Sequence, residues 1–94
     1  MDKSNLAIDL FRKMANAISE LYAHEIALLK LVHGNKPGFD ELKSILVQLD
    51  KTLTDKAVWL IEIYKKENST AADALTEECK IIISETVEQF VKKL

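Results

Sequence analysis

Apolar side chains recur along this chain at steps of three and four, the spacing that gathers them on one face of an α-helix. Over residues 5–33 the line runs through Ala7, Phe11, Met14, Ile18, Tyr22, Ile26, Leu29 and Val32, while Asp9, Lys13, Asn16, Glu20 and His24 keep step on the opposite side. A second line, over 39–67, carries Leu42, Ile45, Leu49, Leu53, Ala57, Leu60 and Tyr64 against polar Ser44, Gln48, Lys51, Asp55 and Glu62. A third, over 70–93, carries Leu75, Cys79, Ile82, Thr86 and Phe90, with Leu94 beyond it, against Asp73, Glu77, Lys80, Ser84 and Glu88.

Two interruptions separate these segments. His33-Gly34-Asn35-Lys36-Pro37-Gly38 holds both glycines and the single proline, and Asn68-Ser69-Thr70 forms the shorter break. Ser4 is placed to cap the first helix, Gly34 to end it in a left-handed conformation, and Thr70 with Asp73 to form a capping box on the third. Thr54 is also a competent N-cap, so a break there would make four helices of three; the apolar line passes unbroken through it, and the continuous helix is the expectation. Short connections cannot return a helix of about 40 Å parallel to its predecessor, so the fold class expected is an all-α, antiparallel up-down-up bundle of three long helices.

Composition narrows the function classes. The 94 residues leave room for one domain, and interspersed charge of 13 basic against 15 acidic side chains, net −2, provides no basic stripe for nucleic acid. No apolar run approaches the roughly 20 residues of a membrane span, and the start of the chain lacks the apolar core of a secretory signal, so a cytoplasmic location is expected. Cys79 stands alone, which excludes an internal disulfide and a paired-thiolate zinc site and reads as a small core residue. The Asn68-Ser69-Thr70 glycosylation pattern matters only in a secreted chain.

Chemistry is sparse. Glu20 and His24 stand four residues apart on one face, a spacing able to hold a metal, but the face is polar and the inward Glu-x-x-His pairs of a metal bundle are missing, so a solvated i,i+4 pair is expected. His33 precedes Gly34 at a helix end, where an imidazole caps the last carbonyls; a phosphoryl-accepting histidine belongs inside a continuous helix. No nucleophile has a base at readable spacing, and no catalytic, cofactor or metal site is assigned.

The feature that departs from the binary pattern is apolar. Val58 falls on the polar side of the second helix and Ile81 on that of the third, with Trp59, Ile61 and Ile83 nearby. If the second and third helices turn at about Ser69, Val58 and Ile81 come to nearly the same level, and one interface patch of Val58, Trp59, Ile61 and Ile81 is expected. The function expected is therefore a non-enzymatic protein-interaction module, binding a protein partner or itself as a dimer. The alternative is an immunity-type or antagonist protein neutralising a toxin or receptor complex, and the third reading is a metal- or phosphoryl-handling bundle.

Overall fold

The computed structural model describes residues 3–34, 38–67 and 69–93, and every regular element among them is a helix: α1 Lys3–His33, α2 Phe39–Glu67 and α3 Ser69–Lys92. Each helix packs on both others, so the three close around one core as an antiparallel up-down-up bundle. The molecule measures 50 × 21 × 17 Å, and its radius of gyration of 15.4 Å exceeds the roughly 12 Å of a spherical domain of this length. Such a rod exposes much of each helix, which leaves helix faces as the available functional surface.

α2 is continuous. Its first bonded turn closes from the Leu42 amide to the Gly38 carbonyl at 3.1 Å, Asp40 and Glu41 face the positive end of its dipole, and Lys65 and Lys66 face the negative end. Thr54 does not cap a new helix; its hydroxyl donates to Asp50 Oδ1 one turn back, at 3.2 Å. The four-helix alternative is thereby excluded. Gly34 adopts φ +88°, the left-handed geometry that stops α1 where the sequence placed the stop.

Helix starts differ by a residue or two from expectation. α1 is helical from Lys3 and α3 from Ser69, so both Ser4 and Thr70 fall inside the described helices. A residue or two is the margin within which helix ends are defined.

The core follows the periodic lines closely. Phe11, Ala15, Leu49, Leu53 and Leu75 are wholly buried, and Ile26, Ile45, Ala57, Leu60, Ala72, Cys79, Ile82 and Phe90 nearly so. In α1, Ala15 is as fully buried as Phe11, while Met14, one position round the helix from Ala15, is half-buried. Val32, expected in the core, is 71% exposed, and Leu31 and Phe39 are exposed as well. The reason is length: at 24 residues α3 is about 7 Å shorter than the 29-residue α2, and it stops short of the end where Val32 and Phe39 lie. Leu94 lies outside the described residues.

Two hydroxyls are absorbed by the backbone, Thr76 donating to the Ala72 carbonyl at 2.8 Å and Thr86 to that of Ile82 at 2.7 Å. Between helices, Tyr22 Oη and Thr52 Oγ1 hydrogen-bond at 3.0 Å and so mark the level at which α1 and α2 meet. Arg12 reaches Glu85 across α1 and α3 at 3.8 Å, an exposed pair worth little stability.

Candidate functional site

The α2–α3 hairpin leaves an open groove of about 480 Å³ on one flank. Asp50 and Val87 lie at one end of it, Thr54 and Ile83 follow, then Val58 and Lys80, and Ile61 with Thr76 close the other. Numbers rise on one helix as they fall on the other, as antiparallel packing from a turn near Ser69 requires. The groove runs about 17 Å along the helices and its walls are mainly aliphatic, with Asp50 and Lys80 as opposite charges on its rims. Ala57 and Cys79 form its floor, both almost fully buried.

Burial pushes the Cys79 thiol up from 9.0 to about 11, with the neighbouring Glu78 carboxylate adding to the effect. The sulfur is therefore a protonated thiol at neutral pH, and it acts as apolar floor to the groove and not as a nucleophile.

The four residues singled out in the sequence separate onto three surfaces. Val58 and Ile61 line the groove, and Ile83 joins them from α3. Ile81 is 48% exposed and does not: one residue past Lys80 it stands about 100° further round the helix, facing away from the groove. Val58 and Ile81 are thus level along the hairpin yet point in different directions.

Trp59, 54% exposed, belongs to the opposite flank of α2. It follows Thr52 by two turns, and Thr52 is the residue bonded to Tyr22, so Trp59 lies on the side that meets α1. Ile63, three turns from Thr52 and also exposed, shares that side. Counted outward from the Tyr22–Thr52 pair, they stand at about the heights of Met14 and Leu10.

α1 contributes exposed leucines that its core line did not anticipate: Leu6, Leu10, Leu21, Leu28 and Leu31. Leu21 lines a shallow depression with Ile18, Tyr22 and Glu25 of α1 and Gln48 and Thr52 of α2, which assigns the leucine flank to the α2 side. Their signal was present in the sequence as a second three-four rhythm, masked by the stronger one beside it.

Glu20 and His24 are both exposed on α1, and among the described residues no group of three or more metal-ligating side chains converges. The His33 side chain lies outside the described residues. Among the described residues no helix is long and apolar enough to cross a membrane. No protein family matches the chain, and no curated protein or solved structure is significantly similar to it.

Proposed function

We propose that this chain is a non-enzymatic, cytoplasmic protein-interaction module whose α2–α3 groove receives the apolar face of a helix from a protein partner. The observation that carries this is the groove wall itself. Val58, Ile61, Ile83 and Val87 form an aliphatic trough between two parallel ridges, and an amphipathic helix with anchors at three- and four-residue steps fits such a trough and completes a four-helix arrangement. Asp50 and Lys80 on the rims give the guest helix an electrostatic direction.

The test begins with a partner captured from native lysate, identified, and then reconstituted from purified components. Wild-type protein is expected to form a stoichiometric complex that Val58→Lys/Ile83→Lys weakens by at least about tenfold, the equivalent of 1.4 kcal/mol. Both positions are peripheral to the core, and helical content measured by circular dichroism verifies that the variant folds. A purified partner bound equally well by the variant overturns the groove assignment.

A further inference from the structure

α1 carries a second apolar line that its own core does not use. Leu10, Met14, Ala17 and Leu21 follow at steps of four, three and four, the spacing of the a and d positions in a coiled-coil seam. Met14 is half-buried and the other three are exposed, with Leu21 at 67%. Trp59 and Ile63 of α2 stand beside the Met14–Leu10 half of the seam. With Leu6, the exposed parts of these side chains amount to on the order of 500 Å² of apolar surface, the size at which a patch on a small protein marks an association site.

We infer that a second copy of this chain covers this flank, the two α1 helices packing antiparallel about a two-fold axis. In the register that fits the side chains, Leu10 meets Leu21 of the second copy and Met14 meets Ala17 of the second copy, large against small in the inner layers. Symmetry repeats each layer. Trp59 and Ile63 then flank the paired helices and enlarge the contact toward the roughly 800 Å² per partner of a stable interface.

Charge selects this register over its competitors. On the outer edge of the seam Lys13 falls beside Glu20 of the second copy, and the two-fold axis makes that attractive contact twice. Sliding the antiparallel pair by one heptad sets Glu20 against Glu20 of the second copy. A parallel pair sets Glu20 against Glu25 of the second copy. Both alternatives oppose like charges, and only the first arrangement is self-complementary.

The dimer rests on the same premise as the groove, that unfinished helix faces are contact surfaces, but it uses a different face. Sedimentation equilibrium of the purified full chain is expected to give twice the 10.6 kDa protomer mass. Leu10→Glu/Leu21→Glu is expected to give the protomer mass with helicity retained, and Val58→Lys/Ile83→Lys to leave the dimer intact. Lys13→Glu and Glu20→Lys are each expected to raise the dissociation constant about tenfold, and the double reversal to return it to within about threefold of wild type. The charge set serves even if the leucine variant fails to fold. A monomeric wild type, a dimer tightened by Glu20→Lys as a parallel pair requires, or a dimer abolished by the groove variant alone each overturns the inference. The first two outcomes leave partner binding in the groove untouched, whereas the third would give the groove to a second copy in place of a foreign helix.

Discussion

Cys79 illustrates how a single residue's chemistry is decided by its surroundings. Its position in the α3 line was enough to assign it to the core, and the structure places it there at 1% exposure, beneath the α2–α3 groove. Burial raises its pKa to about 11, so the folded state holds its proton where the unfolded chain releases it. The folded state binds more protons between these two values, and stability therefore falls as pH climbs from about 9 to about 11 and is unaffected by this group at neutral pH. The contribution is on the order of a few kcal/mol. Denaturation midpoints measured across that window in wild type and Cys79→Ala are expected to converge as pH rises; parallel curves would refute the assignment.

At the scale of the element, α2 carries the most consequential decision in the chain. Thr54 presents a capping signal in the middle of an uninterrupted apolar line, and the line prevails because Leu49, Leu53, Ala57 and Leu60 are all buried only if one helix runs through them. A capping hydrogen bond is worth about 1 kcal/mol, less than the burial of one of those leucines. Thr54→Pro is expected to cost about 3 kcal/mol or more by removing a backbone bond and crowding the preceding turn, read as a lowered denaturant midpoint. A cost under about 1 kcal/mol would show that α2 already yields at this point. The helix starts were legible only to within a residue or two, while Gly34 needed no context because a left-handed backbone is a local property.

For the whole molecule, the informative quantity is what three helices leave uncovered. A rod 21 × 17 Å in section cannot enclose helices that are apolar on more than one face, and α1 and α2 both are. If the α1 flank is covered by a second copy, folding is linked to association, and the melting temperature rises with protein concentration. The Leu10→Glu/Leu21→Glu variant is expected to melt at one temperature whatever its concentration. Calorimetry over a hundredfold range of concentration compares the two, and a wild-type melting temperature independent of concentration would contradict the linkage.

The sequence by itself determined the periodic lines, the extents of the helices to within a residue or two and the side of each that is buried, and it favoured a continuous α2 while leaving a break at Thr54 open until the structure closed it. These follow from periodicity and local backbone geometry, which need no knowledge of neighbours. Val32 escaped because its burial depends on how far another helix extends. The apolar residues outside the core escaped for the same kind of reason. Val58, Trp59 and Ile81 are close in sequence register, but whether they share a surface depends on which flank of α2 meets α1 and which meets α3. Only the tertiary packing decides that: it sends Val58 into the groove with Ile61 and Ile83, turns Ile81 outward, and aligns Trp59 with the leucine seam of α1.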